Sequence, residues 1–233
     1  TLLEIKRMEK KLRDSFSFHE AQSSESFFPW FDEPAKNNLQ SSTLLLKNLN
    51  AFDKENNVTD IGIKISKYPL HPRLGRILVE ANAKNILPQG ILIISLINEG
   101  MLLKKGMNSP DIAHSDIQYQ ADLFRKIFNK EDLSYSKKES IDFQSVKKIE
   151  KSMRQLCSLT SVPFLKCFDP ISEENLSFIL LSGYPDRVCQ IRKQGKKNNT
   201  GKRELNLCLG GGAFLSPASV VQDSELLLPL AAE

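Results

Sequence analysis

No Cys-x-x-Cys pair occurs among the four cysteines, Cys157, Cys167, Cys189 and Cys208, and each lies at or beside an apolar position of a predicted helix or strand. We therefore expect buried free thiols in a reducing, cytoplasmic compartment rather than a disulfide framework or a zinc site. No apolar run approaches the roughly 18 residues that a membrane-spanning helix needs. No G-x-S-x-G elbow presents a nucleophile and no carboxylate pair is singled out by its context, so the chain does not read as a free-standing hydrolase. The three histidines, His19, His71 and His114, lie in unrelated stretches and form no metal set. Nucleotide phosphoryl transfer needs a glycine loop of the form G-x-x-x-x-G-K-[ST]. The nearest approach, Gly195 to Gly201-Lys202-Arg203, has one residue too many between its glycines and an arginine where the metal-binding hydroxyl belongs. Asp32-Glu33-Pro34-Ala35 lacks the histidine of an Asp-Glu-x-His metal box. No internal repeat of fixed period is present.

What is there is an ordinary globular composition. The chain is 40% hydrophobic and 26% charged, with a formal net charge of +4. That balance permits an anionic partner without demanding one. The 233 residues suffice for a real core and for one to three compact units. The first residue is Thr1, and Glu233 closes an apolar run, 226–232, that resembles an unfinished strand. The expectation is a piece of a longer polypeptide.

Helical spacing dominates. Leu2, Leu3, Ile5 and Met8 open one helix against Glu4, Lys6, Arg7 and Lys10, and the polar stretch 19–26 interrupts it. Asp32 is placed to cap a second helix with Pro34 in its first turn and Leu39, Leu46 and Leu49 on one face. Asp53 to Asn57 is turn chemistry, and Thr59 caps a short helix carrying Ile61 and Ile65. Three short helices around a turn able to form a wing predict a winged-helix domain over residues 1–66. From Pro72 the helical period holds for about a hundred residues. Leu74, Ile77, Leu78 and Ala81 form one stripe, Ile117, Ala121, Phe124 and Phe128 another, and Val146, Ile149, Met153 and Leu156 a third. Ile91 to Ile97 is apolar almost all round and predicts a central buried helix closed by Gly100. Ser115 with Gln118 forms a capping box, a Ser/Lys-rich loop runs from Asn129 to Ser140, and Ser172 caps a last helix, Glu173 to Leu181. These make a helical bundle over residues 67–182. Tyr184 to Arg203 reads as a basic loop, Leu205, Leu207 and Leu209 alternate as a strand, three glycines break it at 210–212, and Leu226 to Leu230 can pair back. A small antiparallel β domain, incomplete, is expected over residues 183–233.

Several boxes occur in a fixed order: Trp30-Phe31-Asp32-Glu33-Pro34, Val58-Thr59-Asp60-Ile61-Gly62, Tyr68 to Leu74 with His71-Pro72-Arg73-Leu74 at its heart, and Tyr184-Pro185-Asp186-Arg187-Val188. In this order the chain resembles the region after the motor of DEAH-box helicases, most closely the bacterial HrpB type. There a Trp-Leu-Asp-x-Pro-Pro box, a Leu-Thr-x-x-Gly step, a Leu-Pro-Leu/Val-His-Pro-Arg-Leu box and a Phe/Tyr-Pro-Asp-Arg-Ile junction follow one another. Ser115-Asp116 and Arg154-Gln155-Leu156 match more loosely. The resemblance implies a mainly α fold: a winged helix, a helical ratchet (helicase-associated) domain, then a β domain like an oligonucleotide-binding fold. It also implies RecA-like motor domains upstream in the same polypeptide, with ATP and Mg²⁺ bound there. No cofactor is expected in this chain, whose sequence also lacks the family's arginine-rich motor motif. The implied partner is single-stranded nucleic acid, with RNA as the expected strand, and no membrane.

Two basic groups are the candidate site. Arg187, Arg192, Lys193, Lys196, Lys197, Lys202 and Arg203 set seven cations against one acid, Asp186, in a glycine- and asparagine-containing stretch able to follow a phosphate backbone. A solvated hairpin tip is the plain alternative. Lys147, Lys148, Lys151 and Arg154 fall opposite Val146 and Ile149 and give the third stripe's helix a basic back, suited to a strand channel or simply to solvent. No catalytic or metal-binding residue is expected. His71 reads as a capping residue, Trp30 as a core anchor, Thr59 as a cap and Gly62 as a close-packing position. Two other functions stay open: a stand-alone winged-helix module that binds duplex through the helix from Pro34 to Phe52, whose cations are only Lys36 and Lys47, and a helical protein-interaction scaffold.

Overall fold

The structure is a computed structural model that describes residues 2–15, 32, 34–100, 102–103, 114–131, 140–192, 203–216, 219–221 and 224–230. Its described residues form eight α-helices and a four-stranded antiparallel sheet near the C-terminus. The chain divides into two compact units, Thr1–Val79 and Glu80–Glu233. No helix among the described residues is long and apolar enough to cross a membrane.

The first unit holds α1 (Leu2–Ser15), α2 (Lys36–Asn48), α3 (Asp60–Ile65) and the start of α4 (Pro72–Ala83). Its core is Leu3 of α1, Leu46 and Leu49 of the α2 end, Ala51, Phe52, Val58 and Ile65. Met8, expected on the apolar face of α1, is instead exposed, and among the described side chains of that helix the buried ones are Leu3 and Glu9. The Glu9 carboxylate is held by Lys6 at 2.8 Å. Nor does Asp32 cap α2: the helix begins at Lys36, with Ala35 in the cap position and no side-chain cap. Two cations of α1 close onto the backbone of the same unit, Arg7 on the Ser66 carbonyl at 3.1 Å and Lys10 on the Val58 carbonyl at 3.4 Å.

The turn between α2 and α3 is where sequence and geometry meet most tightly. Phe52 and Val58 form a single antiparallel bridge, and Asp53 accepts from the Asn57 amide at 2.7 Å to close the loop between them. Asn56 carries the left-handed φ of 67° there, a conformation asparagine tolerates. Thr59 then works twice: its Oγ1 donates to the Asn50 carbonyl at 2.6 Å and accepts from the Gly62 amide at 3.0 Å, capping α3. At Gly62 an added Cβ would lie 2.3 Å from the Ala51 carbonyl oxygen and 3.0 Å from Val58. The Thr-x-x-Gly step is thus a cap and a close approach in one motif. His71 likewise caps α4, its Nδ1 accepting from the Arg73 amide at 3.3 Å with Pro72 at the first helical position.

In the second unit, α5 (Leu87–Glu99) is buried on all sides from Gly90 to Leu96 and ends at Gly100, whose φ of 95° suits glycine. Against it pack α6 (Asp116–Phe128), α7 (Phe143–Thr160) and the 3₁₀ turn η1 (Phe164–Phe168). Four rings join α6 to η1: Phe128 stacks on Phe168 at 4.1 Å, and Phe164 meets both edge-on at 5.6 and 5.3 Å. Phe124 lies beyond Phe168 at 6.1 Å. Such pairs contribute roughly 0.5–1.5 kcal/mol each beyond their burial. Cys157 and Cys167 touch inside this layer at 3.4 Å, and burial pushes both thiols above their ordinary pKa. Cys208 departs from expectation, because it sits exposed in the turn after β2.

Ser115 and Ser172 cap helices of this unit where the sequence suggests, and Asp142, which the sequence reading did not single out, caps a third. Ser115 accepts from the Gln118 amide at 3.4 Å, although the Gln118 side chain turns to Asp122 and leaves the box half made. Ser172 accepts from the Asn175 amide at 3.3 Å and caps α8 (Glu173–Gly183). Asp142 caps α7, accepting from the Ser145 hydroxyl at 2.8 Å and the Gln144 amide at 3.0 Å, and those two bonds hold its carboxyl below the usual range. Because the folded pKa is depressed, this stabilisation is present above the unfolded-state pKa and is lost as pH falls through the folded one. Asp142→Ala is expected to be less stable than the parent at neutral pH, with the gap narrowing in acid. Parallel denaturation curves from pH 7 to pH 2.5 check this, and a gap constant with pH would contradict it.

The strands are β1 (Cys189–Ile191), β2 (Glu204–Leu207), β3 (Gly212–Phe214) and β4 (Leu226–Leu227), preceded by the 3₁₀ turn η2 (Pro185–Arg187). They lie in the order β3-β2-β1-β4, all neighbours antiparallel. This is a Greek key, the arrangement that oligonucleotide-binding folds extend into a barrel. The expected loop from Tyr184 to Arg203 therefore contains a strand, and β1 is central. Its three residues are too few to show alternation, but Cys189 pairs with both Leu207 and Leu227 and is buried. Leu209 falls in the turn, exposed, and Gly210 and Gly211 turn the chain with φ of 90° each. The crossover from β3 to β4 is fastened to the bundle: Asp116, at the start of α6, accepts from the Ser219 hydroxyl at 2.8 Å and the Val220 amide at 2.6 Å.

Candidate nucleic-acid interface

The basic back of α7 follows from its period. Ile149, Met153 and Leu156 are buried, which turns Lys147, Lys148, Lys151 and Arg154 outward, and all four are exposed. They differ in how they are held. Arg154 donates from Nε and one terminal nitrogen to Glu150 Oε1 at 3.0 and 2.7 Å, and its guanidinium lies 4.1 Å above the Phe164 ring. An exposed i,i+4 pair adds ~0.3–0.5 kcal/mol and a cation–π contact roughly 0.5–1 kcal/mol, so this arginine is oriented by the fold. Lys147 and Lys151 stand one helical turn apart beside it.

The second basic group is distributed along the sheet. Arg187 leans on the Tyr184 ring at 5.3 Å and donates to the Leu230 carbonyl, which ties η2 to the segment after β4. Arg192 pairs with Glu204 at 2.7 Å, side by side at the ends of β1 and β2. Arg203, exposed, precedes β2, and its carbonyl accepts from the Leu215 amide at 2.9 Å. Arg192 and Arg203 thus mark the two ends of the β1–β2 connection. Lys193, Lys196, Lys197 and Lys202 lie outside the described residues, as does Trp30. Arg187 and Arg192 hold the sheet together, and Arg203, Lys147 and Lys151 are the described candidates directed at solvent.

No group of His, Cys, Asp and Glu among the described residues is arranged to hold a metal ion. His71 belongs to a helix cap and His114 precedes α6. A cavity of about 300 Å³ in the first unit is lined by Leu3, Glu4, Ile65, Tyr68 and His71 and brings together no catalytic set. Burial raises the Tyr68 hydroxyl above its ordinary pKa, which keeps it neutral. On α2, Lys47 donates to the Lys54 carbonyl at 2.9 Å, so one of the only two cations available for a duplex-reading helix closes the helix end instead. Sequence reasoning passed over Phe214, an aromatic ring on the open face of the sheet; its face depends on strand register, which the sequence does not display.

The described residues thus hold a short turn closed by a capped Thr-x-x-Gly helix, a bundle around one buried helix and a Greek-key sheet. The family described as Helicase associated domain (HA2), winged-helix, matches residues 42–70, the segment containing that turn and cap. Among known proteins, the chain is similar to the ATP-dependent RNA helicase HrpA of Borreliella burgdorferi, 26% identical over 213 residues that cover 83% of this chain and 25% of the relative. Among solved structures, its fold matches Escherichia coli DEAH/RHA helicase HrpB with a TM-score of 0.55 at 18% identity, covering 89% of this chain and 21% of that one. The chain thus spans about a quarter of the curated relative's length and about a fifth of the solved one. A short segment of this chain thus matches the helicase-associated winged-helix family, and most of it is similar to part of an ATP-dependent RNA helicase.

Proposed function

We propose that this region binds and guides a single RNA strand for an ATP-dependent helicase, while RecA-like motor domains elsewhere in the same polypeptide bind ATP and Mg²⁺ and do the hydrolysis. The observation that carries the reading is the run from Arg192 to Arg203, which holds six cations and no acid and connects two central strands of the sheet. The outward Lys147 and Lys151 of α7 add a second basic surface. Nothing in this portion requires bond chemistry: its contribution is strand contact and mechanical coupling, in a cytoplasmic protein. Phosphate contacts of this kind release counterions, so affinity falls with salt at a log–log slope of ~0.7 per phosphate contacted on a single strand.

The test measures binding of the full chain to a labelled oligo-uridine strand across a salt series. Beside it run two variants, one with Lys193, Lys196, Lys197, Lys202 and Arg203 changed to Gln and one with Lys147→Gln and Lys151→Gln. Arg192 is kept, because it pairs with Glu204. The expected result is a salt-dependent affinity that weakens in the first variant, with a slope shallower by two or more, roughly the loss of three to five phosphate contacts. Absence of binding by the parent at low salt would overturn the reading and leave a structural brace.

A further inference from the structure

The pairing register separates the faces of the sheet. Cys189, Ile191, Leu205, Leu207, Ala213 and Leu227 share one face, on which Cys189 and Leu205 are buried. Gln190, Glu204, Asn206, Gly212, Phe214 and Leu226 share the other. On this outer face Gln190, Asn206 and Gly212 are exposed, and Phe214 stands 55% exposed at the strand end nearest the basic connection. Its cross-strand partner is Glu204, and beyond Glu204 lies Arg192, so the row reads aromatic ring, carboxylate, guanidinium. The 2.7 Å pair neutralises the carboxylate, leaving no unpaired anion in that row to repel a phosphate. Next along the face, Gly212 offers no side chain and sits opposite Asn206, which in turn sits opposite Gln190. The result is a ring at the edge of a shallow floor bearing two side-chain amides, of which Gln190 already donates from Nε2 to Glu225 Oε1 at 3.3 Å and keeps its second N–H and its oxygen.

We propose that Phe214 is a base-stacking residue, with Asn206 and Gln190 facing the edge of the stacked base. The proposal rests on the reading that this region binds a single RNA strand and adds the place where a nucleobase sits. A single strand suits the site because its bases are unstacked and can lie on a ring, whereas a duplex offers only its backbone. The β1–β2 connection, residues 192–203, carries six cations and no acid in the sequence and leaves and re-enters the sheet at the end where Phe214 stands, which favours an anionic strand over an apolar protein partner.

The experiment uses the full chain with oligo-uridine and the variants Phe214→Ala, Phe214→Leu and Phe214→Trp. Stacking on one aromatic ring is worth ~1–3 kcal/mol per base, so Phe214→Ala is expected to weaken binding about 5- to 150-fold without changing the salt slope. Phe214→Leu is expected to lose nearly as much, and Phe214→Trp to bind like the parent with its added fluorescence quenched at saturating RNA. Because the ring is exposed, all three variants should melt like the parent. Salt-dependent binding by the parent, with Phe214→Ala or Phe214→Leu within twofold of it or with the new tryptophan unquenched, would overturn the stacking site and leave strand binding intact. A parent that binds no RNA would remove both, and capture of a protein on this face in its place would count against the site.

Discussion

Ile94→Ala is expected to be among the most damaging single changes in the molecule, lowering the unfolding free energy by about 2–5 kcal/mol. Ile94 is fully buried midway along α5, with Ile93 and Leu92 equally buried beside it. Amphipathic helices lose one contact face when truncated and can relax toward solvent. Here α6, α7 and η1 pack around α5, so the space vacated by three carbons cannot be filled by collapse. Urea denaturation followed by far-UV circular dichroism measures the effect. A loss under 1 kcal/mol would mean that α5 is loosely packed and would discredit the central-helix description.

Gly62→Ala is the second, with an expected loss of about 1–3 kcal/mol, toward the top of the range for overpacking. Alanine is normally the better helix former by close to 1 kcal/mol, so propensity predicts a gain. Geometry predicts the reverse, because the new methyl would overlap a backbone carbonyl, that of Ala51, at 2.3 Å and cannot be relieved by a side-chain rotation. Moving α3 away would break the Thr59 bonds to the Asn50 and Ala51 carbonyls and disturb the adjoining bridge from Phe52 to Val58. Thermal melting of the parent and the variant decides between the two effects. An unchanged or raised melting temperature would show that the turn has slack.

How much of this was legible in the sequence depends on how local each feature is. The caps at Thr59, Ser115 and Ser172 need only a side chain and an amide two or three residues on, and each is found where the sequence places it. The buried run of α5 was equally visible, since apolar residues on every side of a helix admit one environment. The start of α2 was not: Asp32 has the right chemistry but lies four residues before the first helical position, and Ala35 serves without a side chain. Met8 and Cys208 were misplaced because their burial depends on which face a neighbour covers. The strand β1 was hidden because three residues cannot display a period of two, and its centrality comes from partners 14 and 18 positions ahead on one side, Leu205 and Leu207, and 38 ahead on the other, Leu227. For the candidate site, the charges were plain and their engagement was not. Nothing in the spacing of Arg154, Arg187 and Arg192 distinguishes them from Lys147 and Lys151, yet the arginines are bound to Glu150 and Phe164, to Leu230, and to Glu204.

The fastening of the β3–β4 crossover to Asp116 also orders events in time. The two hydrogen bonds join residues 103 and 104 positions apart, so the aspartate leaves the ribosome long before the segment that it holds. At the ~5–20 residues per second of synthesis, it waits roughly five to twenty seconds for its partner. During that interval the bundle can mature without the sheet, whereas β4 reaches its place beside β1 through a crossover whose anchor is already standing. The helical unit is in this sense a jig for the Greek key, setting the path of its longest connection while the last strand is still being made.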